Sequence, residues 1–284
     1  MAPTALSPSR AGDFMQCPLL YRFRVVDRLP EAPSPAAVRG TVVHAVLERI
    51  FDLPAGDRTL QSARELVAPQ WERVRTETPA LAELFDGDGQ AVAEWLTGAE
   101  DLLARWFELE DPTRLEPSER ELYVETVLDD GLTLRGYVDR LDVAPDGRMR
   151  VVDYKTGRAP RESFEAKALF QMKFYALVLW RLRERVPSLL QLVYLGSGEL
   201  LRYVPEESDL LATERKLRAL WAAIARAAQT GDWRASPGRL CDWCDHRGRC
   251  PAWGGTPPPL PDDARDRVLG PAASAPELPG LDET

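Results

Sequence analysis

Asp153-Tyr154-Lys155 closes a short apolar run, Val151-Val152, and opens onto Thr156-Gly157. In a pleated strand, side chains two apart share a face, so this carboxylate and this ammonium point the same way. Asp139 lies on the preceding predicted strand, and the Asp146-Gly147 turn between the two lets Asp139 come beside Asp153 if the register is suitable. Two carboxylates and a main-chain carbonyl are hard donors suited to Mg²⁺ or Mn²⁺. A cation held there polarises a phosphate and lowers the pKa of a nearby water, while Lys155 orients that water or meets the charge that builds on the phosphate. This is equipment for cutting phosphodiesters. Asp-x-Lys alone is also what an ordinary strand end and turn can show. The lysine adds weight, because the chain has only four (155, 167, 173 and 216) against 32 arginines. A composition so tilted toward arginine would put Arg at a merely structural cationic position, and only the compact ammonium acts as a point charge or changes protonation in a site.

These residues need strands to carry them. Glu121 to Leu128 alternates with period two, and Asp129-Asp130-Gly131 is a hairpin signal. Leu132 to Val143 returns, Pro145-Asp146-Gly147 turns again, and Met149 to Tyr154 follows, which makes a β-meander. A helix over about 163–184 carries Gln171-x-x-x-Tyr175 with both side chains on one face. Strands are expected near 189–195 and 200–204, then a long helix over 208–229. Ahead of the meander, Ser7-Pro8 reads as a helix start, Leu29 to Pro35 as a proline-rich loop and Ala36 to Phe51 roughly as a second helix, with further helices near 59–76 and 89–109 that carry no recognisable chemistry. His44 sits in the stripe Val42, Val43, Val46, Leu47 and Ile50, where a core imidazole is the ordinary outcome. Glu121, at a strand start, is an exposed glutamate or a further site residue.

Cys241-x-x-Cys244, then Cys250-Pro251, form a compact trio near one end of the chain, and Cys17-Pro18 lies near the other. Thiolates so spaced suit zinc or an iron–sulfur cluster. A local zinc site would use Cys241, Cys244, His246 and Cys250, leaving Cys17 as a buried thiol.

The ordered set Gly40-Thr-x-x-His44, Glu121, Gly136-x-x-Asp139-Arg140, Asp153-Tyr-Lys155-Thr-Gly157 and Gln171-x-x-x-Tyr175 resembles the RecB-like branch of the PD-(D/E)XK nucleases, which includes the RecB nuclease domain, AddB and Cas4. The resemblance covers about residues 6–253. It implies an α/β (α+β) fold, a restriction-endonuclease-like core of a mixed sheet flanked by helices, with an N-terminal helical region and a cysteine-rich C-terminal segment. It implies one nuclease domain over 1–253, with a helical insertion at about 53–118 and a cluster segment at 238–253 joined to Cys17. His44, Asp139 and Asp153 would hold the metal with the Tyr154 carbonyl, Lys155 would be catalytic, and Gln171 and Tyr175 would support the site or contact DNA. Cys17, Cys241, Cys244 and Cys250 would hold a 4Fe–4S cluster tying the chain ends together. The implied activity is exonuclease action on single-stranded DNA ends in repair, with a helicase or repair partner. Trimming of DNA for CRISPR adaptation and non-catalytic DNA-end binding are the alternatives.

Composition bounds these readings. The net charge is −9, which disfavours a sequence-independent DNA coat. Residues 255–284 hold six acidic and two basic side chains among Pro and Gly, and 254–284 is expected to be disordered. No G-x-x-x-x-G-K-[ST] loop occurs, which argues against a nucleotide-driven motor. Met1 to Phe14 lacks a signal-like apolar core and no membrane-length apolar run is present, so a cytoplasmic, membrane-free protein with reduced thiols is expected. Arg10, Arg22, Arg24, Arg28 and Arg39, interleaved with Phe14, Tyr21 and Phe23, suit a path for single-stranded DNA, with Arg140, Arg158 and Arg161 nearer the site.

Overall fold

The computed structural model describes residues 5–159 and 165–271. Arg161 and the expected helix start at 163, together with 272–284 of the tail, lie outside the described residues. The chain forms two compact units, 31–217 and the pair of segments 1–30 with 218–284, where the sequence suggests one domain over 1–253.

In the larger unit, helix α3 (Pro35–Arg49) begins where the Ser34 hydroxyl accepts from the Ala37 amide at 3.1 Å, with Pro35 at the first position. Helices α4 (Leu60–Glu77) and α5 (Gly89–Leu109) start on Thr59 and Asp88 caps. Strands β2 (Glu119–Val127), β3 (Thr133–Val143) and β4 (Met149–Lys155) form the expected antiparallel meander. Its two turns each need a left-handed residue, supplied by Gly131 (φ +84) and Gly147 (φ +79). Helix α6 (Glu165–Arg183) then crosses over, so that β5 (Leu189–Tyr194) lies parallel to β4, and β6 (Glu199–Tyr203) pairs antiparallel with β5. The order within this unit is β2-β3-β4-β5-β6. The sheet is mixed and flanked by helices, as the sequence leads one to expect.

Helices α3, α4 and α5 bury Val42, Val46, Trp71, Trp95, Leu103 and Trp106 against Val152, Tyr154, Val193 and Leu195. The stretch expected as an insertion at 53–118 therefore supplies about half of the buried residues of this cluster. Large aromatic side chains at helical spacing provide that burial, at roughly 1.5–3 kcal/mol per fully buried side chain. Helix α6 packs against β2, β3, β4 and β5.

The smaller unit contains the short strand β1 (Ala5–Leu6), α1 (Pro8–Gln16), α2 (Pro18–Tyr21), a π-helical turn (Arg22–Val26), α7 (Glu207–Thr230) from Arg218 onward, and α8 (Ala264–Leu269). Tyr21 stacks on Trp233 at 5.8 Å between ring centroids, and Phe14 meets both edge-on. The expectation of disorder from 254 fails for the described part of the tail. Ala264 and Val268, one helical turn apart, are buried, and Arg267 donates to the Val26 carbonyl at 2.7 Å. Among the described residues, no helix is long and apolar enough to cross a membrane.

Candidate metal centre

The register of the meander builds the site. The β2–β3 ladder pairs Arg120 with Arg140 and Leu122 with Val138, so Glu121 lies opposite Asp139, though that pair makes no ladder contact. Glu121 has φ +45, a left-handed conformation that costs an L-residue of order 1–2 kcal/mol. Such local strain clusters at functional sites. On the other side, the β3–β4 ladder ends at Arg140 and Val152, which leaves Asp139 facing Asp153 where the two strands part. The Tyr154 amide, left without a ladder partner on that side, donates to Asp139 Oδ2 at 2.7 Å. One carboxylate thus replaces the missing strand contact and is anchored by doing so.

His44 of α3 enters at this opening. Its Nδ1 lies 3.5 Å from Asp139 Oδ2, and its ring also bonds the Tyr154 main chain. Among the described residues, one donor atom each from His44, Glu121 and Asp139 lies within 4.8 Å of the others, a spacing that could hold a metal ion. Glu121 is therefore a better candidate donor than a strand-start glutamate suggests. Asp153 turns its carboxylate to the neighbouring cation, with Lys155 Nζ at 2.6 Å and Gln171 Nε2 at 2.9 Å. Gln171 Oε1 in turn accepts from Lys155 Nζ at 3.0 Å, and Tyr175 Oη lies 3.4 Å from Gln171 Nε2. All the candidate residues of the meander and of α6 are thus brought together.

The electrostatics fit a cation. Burial, then the charge of Asp153, raises the Asp139 carboxyl well above the usual range. Burial, then the charge of Asp139, pushes Glu121 up to about 7. Burial lowers the His44 pKa and keeps the imidazole neutral, its metal-binding form. Crowded carboxylates that resist ionisation beside a neutral imidazole are what a divalent ion would relieve. An open cleft of about 430 Å³, lined by Gly40, Thr41, His44, Glu48, Arg73 and Glu121, reaches this group.

Behind the site lies a network the sequence did not reveal. Arg140, 1% exposed, grips Glu110 with two bonds of 2.8 and 2.9 Å and also bonds Tyr154 Oη. Trp106 Nε1 and Gln191 Nε2 donate to the same glutamate. Arg140 is therefore committed inside and does not serve as a DNA contact. The loop after Lys155 is held as closely: the Gly196 amide donates to the Gly157 carbonyl at 3.0 Å, and a Cβ at 196 would come within 2.5 Å of the Gly157 main chain.

All four cysteines fall in the smaller unit, as free thiols. Cys17 separates α1 from α2, and the others lie on 3₁₀ turns around 239–253. Burial raises the Cys244 thiol, a main-chain bond from His246 lowers it, and the nearby Cys241, Cys17 and Cys250 raise it further. The Ser236 and Gly238 amides point at the sulfurs of Cys17 and Cys241 at 3.4 and 3.3 Å. Converging sulfurs that receive main-chain N–H groups are suited to anionic, metal-bound thiolates. The aromatic and basic DNA path expected on this segment is not present: Phe14, Tyr21 and Phe23 are core residues, and Arg22 pairs with Asp27 at 3.0 Å.

A mixed sheet flanked by helices, with acidic residues and a lysine where two central strands part, defines a nuclease-type α/β protein. The chain belongs to the PD-(D/E)XK nuclease superfamily, whose signature matches residues 5–251. It is 27% identical over 200 residues to the Gene 69 protein of Mycobacterium phage D29, covering 61% of this chain and 68% of that one. The crystal structure of a candidate exonuclease from Eubacterium rectale superposes with a TM-score of 0.57 at 13% identity, covering 86% of this chain and 88% of the other, a likeness of fold. Nucleases of this superfamily use divalent metals, and the His44, Glu121 and Asp139 donors suit one.

Proposed function

We propose that this protein is a Mg²⁺- or Mn²⁺-dependent deoxyribonuclease of the RecB-like branch, acting as an exonuclease on single-stranded DNA ends in repair. The observation that carries the reading is the convergence of His44, Glu121 and Asp139 donors beside an Asp153–Lys155–Gln171 cluster at one opening in the sheet. His44, Asp139 and Asp153, with the Tyr154 carbonyl and Glu121, would hold the ion, which when bound supplies Lewis acidity to the phosphate. The chain's own groups do the rest. Asp153 and Gln171 fix Lys155 Nζ, so that the ammonium meets the negative charge growing on the phosphate oxygens. Asp139 of β3 holds the main chain of β4 by accepting from the Tyr154 amide. Tyr175 and Gln171 close the α6 side. Water adds to phosphorus and gives up a proton, one P–O bond breaks, and the departing oxygen takes up a proton, so that none is gained or lost overall.

The test is a nuclease assay on 5′- and 3′-labelled single strands and duplexes, with Mg²⁺, Mn²⁺ or EDTA. Asp153→Ala and Lys155→Ala are expected to lower cleavage by roughly a thousandfold or more, with unchanged circular dichroism. Cleavage by either variant at the parental rate would remove this mechanism.

For the smaller unit we infer a 4Fe–4S cluster held by Cys17, Cys241, Cys244 and Cys250, with a structural role. The nearness of Cys17 to the trio favours it over zinc on Cys241, Cys244, Cys250 and His246. His246 is also packed edge-on against Phe23 at 5.2 Å in the core. A brown protein with iron and acid-labile sulfide, both lost in Cys17→Ser, is expected. Stoichiometric zinc retained in Cys17→Ser would decide for the alternative.

A further inference from the structure

The geometry points to a base-stacking platform for single-stranded DNA, formed by Tyr123 and Tyr137 beside the metal centre. The inference rests on the nuclease reading above. Burial along β3 alternates: Leu134, Gly136, Val138 and Arg140 are buried, while Arg135, Tyr137 and Asp139 lie on the other, more open face. Tyr137 pairs in register with Tyr123 of β2, and their rings meet at 5.3 Å and 56°. Two residues inward Glu121 lies opposite Asp139, outside the ladder, and two residues outward Glu125 pairs with Arg135. At about 3.4 Å per residue, the tyrosines stand roughly 7 Å along the strands from the acidic donors, within reach of a base on the nucleotide next to a bound phosphate.

The two rings are 47% and 57% exposed, whereas Phe14, Tyr21, Phe51 and Trp106 are buried in the two cores. Cross-strand packing accounts for their pairing, but it does not require both rings to stay half-open on the face that carries Asp139. The Tyr123 hydroxyl bonds both Glu125 and Arg135, which fixes its ring and sets the Arg135 guanidinium beside it, where the following phosphate would lie. Aromatic rings accept any unpaired base by stacking. Duplex bases have those faces covered, so the occupant is a single strand.

A thermodynamic cycle tests this. Binding of fluorescein-labelled single strands is measured by anisotropy in Ca²⁺, for wild type and Tyr123→Leu/Tyr137→Leu, on intact oligonucleotides and on ones with abasic sites scanned along the strand. Leucine keeps an apolar hairpin face while removing the rings, and circular dichroism checks the fold. The wild type is expected to lose about tenfold in affinity when one short stretch is made abasic, and the variant about tenfold on intact DNA with no further loss on abasic DNA. Equal loss by the variant on intact and abasic strands, or no loss at all, overturns the platform. Failure of the nuclease reading shows differently, as absence of cleavage by the wild type with every divalent metal.

Discussion

Glu121 shows how one residue's meaning can depend on its backbone. The carboxyl is raised to about 7 by burial, then by Asp139, and its ligand form is the carboxylate. A cation must therefore displace a proton from Glu121 as pH falls through about 7, while His44, with its pKa lowered, remains neutral there. Mn²⁺ affinity, measured by titration calorimetry at pH 6 and pH 8, should be higher at pH 8. Glu121→Gln should flatten that dependence and weaken binding by at least about tenfold. Asp153 and Lys155 were legible in the sequence because strand alternation alone puts them on one face. Glu121 was legible only in part, since nothing in its residue type announces φ +45. The Asp139 bond to the Tyr154 amide was not legible at all, because it arises from where two strands part.

At the scale of elements, two polar ties set the geometry. The buried Arg140–Glu110 pair joins the end of α5 to β3, directly behind Asp139 and Asp153. Glu110→Ala takes the bidentate partner from a buried guanidinium that then keeps only Asp142, at 3.1 Å, as an acidic neighbour, and should cost about 3 kcal/mol in denaturant unfolding, with part of the loss recovered in Glu110→Ala/Arg140→Met. The second tie links α6, β6 and α7: Asp209 accepts from Lys173 and from the Tyr203 hydroxyl, each at 2.8 Å, and from the Glu206 amide at 3.0 Å. These bonds, the amide foremost, depress its pKa from 3.8 to about 2. A depressed carboxylate contributes stability that is complete above its unfolded pKa and is lost as pH falls through the folded one. Wild type should thus lose melting temperature between about pH 4 and pH 2, and Asp209→Asn should lose less over that interval. Strands and helices were readable from period and punctuation, with ends off by a residue or two. The role of α4 and α5 was not, because an amphipathic helix shows which face it buries and not what lies beneath it.

For the molecule as a whole, the division into units cuts across chain order: the smaller unit takes 1–30 and 218–284, and the larger takes everything between. The family resemblance implied a link between Cys17 and the distal trio, but not the aromatic packing of Tyr21 on Trp233 in the same unit. If the proposed cluster draws equally on both ends, Cys17→Ser and Cys241→Ser should lower iron content and thermal stability alike, read by metal analysis and calorimetry. The same layout puts a delay into synthesis. Cys17 leaves the ribosome 219 positions before Ser236, whose amide meets its sulfur. At about 5–20 residues per second that interval is on the order of tens of seconds. Throughout it the nascent amino-terminal helices carry rings that Trp233 has yet to cover, which makes them natural clients for a chaperone, and the proposed cluster would be inserted only once Cys250 has emerged.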